Sequence, residues 1–195
     1  MTSLSALVHI HKTGLFGNYE NKNGENLLKV SEIKNLLIVQ IVQYKNSTVS
    51  PENIDIDNLK LKNEPLNAVS NNDTRILWNG PKNWLLVSIK KDLLKNIYEV
   101  FKETDFAVTD LSHSRAIIEI EGHDVKEVLK KGCPLNFDIL EKNNSINSTY
   151  NGIAFTADLI DDYHNKIRLF ALRSFGESFY HHITDSALEF GYVGV

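Results

Sequence analysis

From Trp84 to the end of the chain the apolar residues alternate between a spacing of two and a spacing of three to four, and this constrains the fold most. Period two buries one face of a strand and period 3.6 buries one stripe of a helix, so each change of period marks an element boundary. "RILWNGPKNWLLVSI" (75–89) reads as two β-prone runs broken at Gly80-Pro81, a hairpin. Leu93, Leu94, Ile97, Val100 and Phe101 then form a helical stripe behind Asp92 as N-cap, which predicts a helix over 93–103. "FAVTDL" (106–111) and "RAIIEIEG" (115–122) read as a pair of strands. Asp124 and Glu127 have capping-box spacing, and Gly132 and Pro134 end a short helix whose stripe is Val125, Val128 and Leu129. "GIAFTADLI" (152–160) and "KIRLFAL" (166–172) form another pair across the turn-rich Asp161-Asp162-Tyr163-His164-Asn165. Ser174 and Glu177 repeat the capping spacing before a closing helix that presents Phe175, Phe179, Ile183, Ala187 and Phe190 on one face, with Gly191 at its end. The order from residue 84 is β-α-β-β-α-β, then β-α. Its first six elements match the ferredoxin-like split βαβ unit, an antiparallel sheet with helices on one face, so the expected class is α+β.

Upstream the text is different. Residues 1–34 are polar, Asn-rich and interrupted by Gly14, Gly17 and Gly24, and residues 45–74 are polar around Pro51 and Pro65. The expected organisation is an N-terminal arm with one leading strand over 1–75, followed by a ferredoxin-like domain over 76–195. The apolar run Leu36–Val42 is broken by Gln40 and falls far short of the ~20 residues that span a bilayer. A net charge of −4, with no block of one sign, argues against nucleic acid or an anionic membrane as partner. "MTSLSALVHIHKTG" lacks the cationic start and apolar core of a secretory signal, so a cytoplasmic location is expected. One cysteine, Cys133, excludes an intrachain disulfide and any Cys-rich metal site, which makes the Asn-Ser-Thr triplets at 46–48 and 147–149 accidental.

Asp110, Ser112 and His113 are the residue types of a hydrolase triad within four positions. In an extended segment Asp110 and Ser112 share a face and His113 points the other way, whereas a working triad is assembled from distant parts of a chain. A structural turn, in which Asp110 or Ser112 bonds nearby amides, is the better reading. His9 and His11 lack further ligands at metal spacing, and His181 and His182 diverge by about 100° on a helix. Trp78 and Trp84 flank the hairpin turn as packing aromatics, and no glycine-rich phosphate loop is present. No catalytic, cofactor-binding or metal-binding residue is assigned to the chain itself.

"ILWNGPKNWLLVS" (76–88), "VTDLSHSRAIIEIEG" (108–122), "VLKKGCPLNFD" (128–138) and "LFALRSFGESFYHHITDSALEFG" (169–191) occur together and in order. In combination they resemble the gamma subunit of heterotetrameric sarcosine oxidase, over residues 76–191. Asp110-Leu111-Ser112-His113, Lys131-Gly132-Cys133-Pro134-Leu135 and Arg173-Ser174-Phe175 carry the resemblance, while Asn136-Phe137 and Tyr180-His181-His182 depart from the usual pattern. The resemblance implies a non-catalytic subunit with the fold of the aminomethyltransferase-type folate proteins. It further implies alpha, beta and delta partners that hold FAD, FMN, NAD, zinc and tetrahydrofolate. Such a complex demethylates sarcosine to glycine with formation of 5,10-methylenetetrahydrofolate and hydrogen peroxide. Asp110, Ser112, His113 and Arg173 are then residues of a structural turn or of a partner interface. Two rivals remain: a stand-alone folate-binding protein of the same superfamily, and a hydrolase built on Ser112 and His113.

Overall fold

A computed structural model describes residues 4–20, 22, 24–162 and 165–195. The elements in chain order are β1 (Gly14–Phe16), β2 (Leu28–Glu32), β3 (Leu37–Gln43), β4 (Asp55–Ile56), β5 (Leu59–Lys60), β6 (Ala68–Ser70), β7 (Thr74–Gly80) and β8 (Asn83–Ser88). They continue as α1 (Leu93–Val100), β9 (Phe106–Asp110), β10 (Arg115–Glu121), α2 (Val125–Lys130), β11 (Ser145–Tyr150), β12 (Ile153–Asp161), β13 (Lys166–Leu172), α3 (Gly176–Ala187) and β14 (Tyr192–Gly194). The class is α+β, with mainly antiparallel sheets, as the alternation of periods implies.

The chain forms two compact units, and each draws on non-contiguous segments. One comprises Asn35–His113 and Asn143–Ile146; the other comprises Met1–Lys34, Ser114–Lys142 and Asn147–Val195. In the first, five strands run in the order β6-β7-β8-β3-β9, beside a small β4-β5 hairpin. Because β8 and β9 both pair antiparallel with β3, they are parallel to each other, with α1 as the crossover and β3 inserted between them. This is a split βαβ arrangement, and β7-β8-β3-β9 is the ferredoxin-like strand order with residues 44–73 standing where a first helix would lie. One face of this sheet buries Leu37, Val39, Ile41, Ile76, Trp84 and Leu86 against Leu93, Ile97 and Phe101 of the α1 region. Trp78 faces Trp84 across the hairpin, whose two-residue loop is Pro81-Lys82, with Lys82 at φ 57°.

The second unit carries seven strands in the order β1-β14-β2-β10-β13-β12-β11. Here β10 and β12 are parallel with β13 between them and α2 in the connection, a second split βαβ. Helices α2 and α3 pack side by side, burying Val125, Val128 and Leu129 from one and Phe179, Ile183 and Ala187 from the other. Tyr150 ties them together: its hydroxyl donates to the Val128 carbonyl at 2.9 Å and lies 2.7 Å from the Ser186 hydroxyl.

Several sequence expectations are corrected here. The strand β9 does not pair with β10; it joins β3 in one sheet, while β10 joins β2 and β13 in the other. The six elements from residue 84 therefore divide between two sheets instead of making one ferredoxin-like unit. Likewise the division expected at residue 75 does not coincide with the units, because the presumed arm supplies β2 and β3, both interior strands. Long-range pairing of Leu28, Val30, Val39 and Ile41 outweighs the polar text around them. Helix α1 stops at Val100, since Phe101 is extended. Neither Asp92 nor Asp124 makes a side-chain cap, and Phe175, not Ser174, occupies the cap position of α3. Asp92 already has helical dihedrals, so its carboxylate does not reach the first-turn amides; Asp124 instead meets His123 Nδ1 at 2.9 Å and Lys22 Nζ at 3.5 Å. The strand β11 is additional to the strands expected from the sequence, and Asn151 (φ 47°) and Gly152 (φ 85°) form the Asn-Gly turn joining it to β12. Tyr163 and His164 of the expected turn between β12 and β13 lie outside the described residues.

Candidate functional site

Helix α3 packs its Phe179-Ile183-Ala187 stripe into the core, and the adjoining stripe, Glu177, Tyr180, His181 and Thr184, lines one wall of a cleft of about 400 Å³. Ile10, Lys12 and Phe16 from the N-terminal segment and Tyr192 from β14 form the rest of the lining. All these residues belong to the second unit.

The N-terminal segment is held in place by contacts that the polar sequence did not advertise. Leu7 is fully buried, the Ser5 hydroxyl donates to the Glu32 carboxylate at 2.5 Å, and the Leu7 amide donates to Ser5 Oγ at 3.0 Å. The guanidinium of Arg173 donates to the Leu4 carbonyl. Two close approaches need glycine. A Cβ on Gly176 would sit 2.8 Å from the Ala116 methyl, and one on Gly194 would overlap the Lys12 carbonyl oxygen. Pairing of β1 with β14 then sets Phe16 opposite Tyr192, with the rings stacked at 5.0 Å.

Polar groups behind this wall are satisfied in a fixed sense. His11 Nε2 lies 2.9 Å from the Val195 carbonyl, which can only accept, so Nε2 carries the proton; Nδ1 then accepts from the Tyr180 hydroxyl at 2.9 Å. Burial, aided by the neighbouring Tyr192, pushes the Tyr180 phenol up to about 12, against a hydrogen bond from the Lys12 amide. Burial also raises Tyr192, opposed by its hydrogen bond with Thr184. Both phenols are neutral at physiological pH, so the inner cleft is aromatic and uncharged. Charge enters only at the exposed Lys12 and Glu177, and among the described residues neither takes part in an ion pair.

Of the residues singled out in the sequence, His181 lines this cleft and His11 lies behind it, bonded to Tyr180, while the others lie elsewhere. Asp110 ends β9, and its Oδ1 accepts from the Ser112 amide at 2.9 Å and from the Ser112 hydroxyl at 2.5 Å. Ser112 Oγ in turn accepts from the Ile38 amide at 3.0 Å. The serine proton thus goes to a carboxylate two residues away, and the oxygen lone pair goes to backbone, which is turn geometry. His113 is exposed and is the last residue of its unit before the chain passes to the other. Arg173 falls in that other unit, where its amide donates to the Ser114 carbonyl at 2.9 Å. Cys133 is buried and donates to Ser148 Oγ at 3.3 Å. His9 lies in a turn, not on a strand face, and the rings of His181 and His182 are 6.2 Å apart. Trp84 Nε1 donates to the Lys62 carbonyl at 2.7 Å, anchoring it as a core residue. Among the described residues no three His, Cys, Asp or Glu side chains gather as metal ligands, and no helix is long and apolar enough to cross a membrane.

Sequence reasoning missed the cleft. The only local signal is Glu177, Tyr180, His181 and Thr184 at helical spacing beside the apolar stripe; nothing in the text joins them to Lys12, Phe16 or Tyr192.

Two successive split βαβ units with mainly antiparallel sheets make up a fold that this chain shares with solved structures. Two solved structures make this concrete. A chain of the heterotetrameric sarcosine oxidase from Corynebacterium sp. U-96, in complex with pyrrole 2-carboxylate, superposes with a TM-score of 0.75 at 21% identity, over 86% of this chain and 87% of that one. The glycine cleavage system aminomethyltransferase T from Bartonella henselae superposes with a TM-score of 0.60 at 13% identity, over 88% of this chain and 49% of that one. This chain therefore spans about half the length of the aminomethyltransferase. No protein-family model and no curated protein matches the sequence.

Proposed function

We propose that this chain is a gamma-type, non-catalytic subunit of a complex like heterotetrameric sarcosine oxidase. The observation that carries the reading is the mutual coverage: 86% of this chain matches 87% of a chain from such an assembly, so the two are of nearly equal size. A match to the aminomethyltransferase that takes in only 49% of it is what a subunit sharing one part of that architecture would give. In this reading alpha, beta and delta subunits are the partners. They hold FAD, FMN, NAD, zinc and tetrahydrofolate, and the complex, in the cytoplasm, converts sarcosine and oxygen to glycine, 5,10-methylenetetrahydrofolate and hydrogen peroxide. The residues of this chain bind and position partner surfaces. Leu172 and Phe175 flank Arg173 in sequence, Arg173 donates to the Leu4 carbonyl, and the side chains of Leu4, Leu172 and Phe175, at 69%, 45% and 50% exposure, are apolar surface suited to that task.

Co-expression with the flavoprotein subunits of such a complex tests the reading. The chain is expected to co-purify with them, to be colourless when purified alone, and to give no peroxide from sarcosine by itself. Phe175→Asp is expected to reduce co-purification while the free chain stays folded. A lone chain that binds flavin or oxidises sarcosine would overturn the assignment, as would a fully active flavoprotein complex that never retains this chain.

A further inference from the structure

The cleft beside α3 is not required by the subunit role, and its chemistry points to a ligand of its own. At about 400 Å³ it falls within the usual range for small-molecule pockets, roughly 300–1,000 Å³. Its interior is aromatic: the stacked Phe16 and Tyr192 rings, the Tyr180 ring, and His181 at the side. Burial keeps both phenols protonated, so the interior offers flat apolar surface and hydroxyl dipoles but no charge.

Opposite charges occur at two separate places in the lining. Lys12 stands on the N-terminal segment, and Glu177 stands on the first turn of α3. They do not neutralise each other, and neither is paired with another described residue. The segment that carries Lys12 is held in position by the buried Leu7, by Ser5 on Glu32 and by the close passage of the Lys12 carbonyl over Gly194. An unmatched ammonium and an unmatched carboxylate lining one aromatic cleft complement a molecule that carries both charges and a flat apolar body.

We propose that this cleft binds a zwitterionic α-amino acid with an aromatic side chain. Its carboxylate pairs with Lys12, its ammonium pairs with Glu177, and its ring packs on Phe16 and Tyr192. Charge-assisted hydrogen bonds at both ends supply selectivity for the zwitterion, and ring stacking supplies selectivity for the side chain.

Calorimetric titration of the full chain with L-phenylalanine tests this, with N-acetylphenylalanine, phenylalaninamide and glycine as comparators. Saturable one-to-one binding of L-phenylalanine is expected, weakened about tenfold or more when either end of the zwitterion is blocked, the scale set by loss of one charge-assisted bond. Glycine is expected to bind more weakly still. Lys12→Gln and Glu177→Gln, both at exposed positions, should each lower affinity for L-phenylalanine about tenfold and erase the penalty for the derivative blocked at the corresponding end. Amide NMR spectra of both variants check that the fold is retained and that shifts induced by L-phenylalanine centre on Tyr180 and Tyr192. Absence of saturable binding to the folded wild-type chain would overturn the proposal. So would equal affinity for the blocked derivatives, or wild-type affinity in both variants. The outcome is independent of whether the chain assembles with flavoprotein subunits, so failure here and failure of the subunit assignment are distinguishable.

Discussion

Replacing Ser112 with alanine is expected to loosen the five-stranded sheet at one defined rung. In wild type the Leu111 amide donates to the Ile38 carbonyl at 2.7 Å, continuing the β3-β9 ladder past Asp110. The Ile38 amide donates to Ser112 Oγ at 3.0 Å, so the hydroxyl supplies the acceptor for the next rung. Alanine keeps the first bond and removes the second. Ile38 is fully buried, and an amide left without a partner there costs about 1–3 kcal/mol. Ser112 itself is only half-buried, so water partly replaces the hydroxyl and the lower half of that range applies. For a chain of this size 1 kcal/mol corresponds to about 2–4 °C in Tm, which gives an expected fall of about 2–8 °C. Asp110→Asn retains an acceptor for the Ser112 amide at an exposed position and should change stability by less than about 0.5 kcal/mol. Thermal melts of the three proteins, together with hydrogen exchange at the Ile38 amide, measure both effects. A Ser112→Ala protein that melts within about 1 °C of wild type with Ile38 protection intact would refute the ladder argument. Labelling of Ser112 by a fluorophosphonate would refute the structural reading of this turn altogether.

Asp57 accepts from Lys90 Nζ at 2.8 Å and from Thr74 Oγ1 at 2.5 Å, and these two bonds, the lysine's first, hold its carboxyl below the usual 3.8. Its contribution to stability is therefore present above the usual 3.8 and is lost as the pH falls through the lowered value; Asp57→Asn should be less stable than wild type at pH 7, with urea midpoints converging as the pH drops below 3.8, and a gap that widens on acidification would contradict this. Phe179, fully buried between the rings of Tyr150 and Phe155, should cost about 3–5 kcal/mol when replaced by alanine, and a denaturant midpoint near wild type would show that the core closes around the gap. Cys133→Ser can still donate to Ser148, so turnover of an assembled complex should stay within a few-fold of wild type and native Cys133 should react with a thiol reagent only slowly. Fast native-state labelling, or a dead complex that assembles normally, would show the thiol to be functional.

Element type was legible wherever the period was strong. Ile97 and Phe101, or Phe179 and Ile183, fall on one helical stripe because each set buries a single face, and Leu37, Val39 and Ile41 of β3 share one sheet face through the two-residue repeat, although Ile38 on the other face is buried as well. Class followed from the same local rule, and so did the bonds between Asp110 and Ser112, since a short side chain finds the amides nearest to it. Pairing could not be read in this way. Whether β9 joins β10 or β3 depends on which strand offers a matching buried face, and the winner lies some seventy residues away in the chain, in a segment whose polar surroundings made it look like an arm. The cleft is a consequence of the same kind of choice. Lys12, Phe16, Glu177 and Tyr192 become neighbours only because β1 pairs with β14 and Gly194 lets the Lys12 carbonyl pass, contacts between residues about 180 positions apart. Local periodicity determined what each segment is; long-range burial and strand register, which no single window of sequence contains, decided what each segment meets.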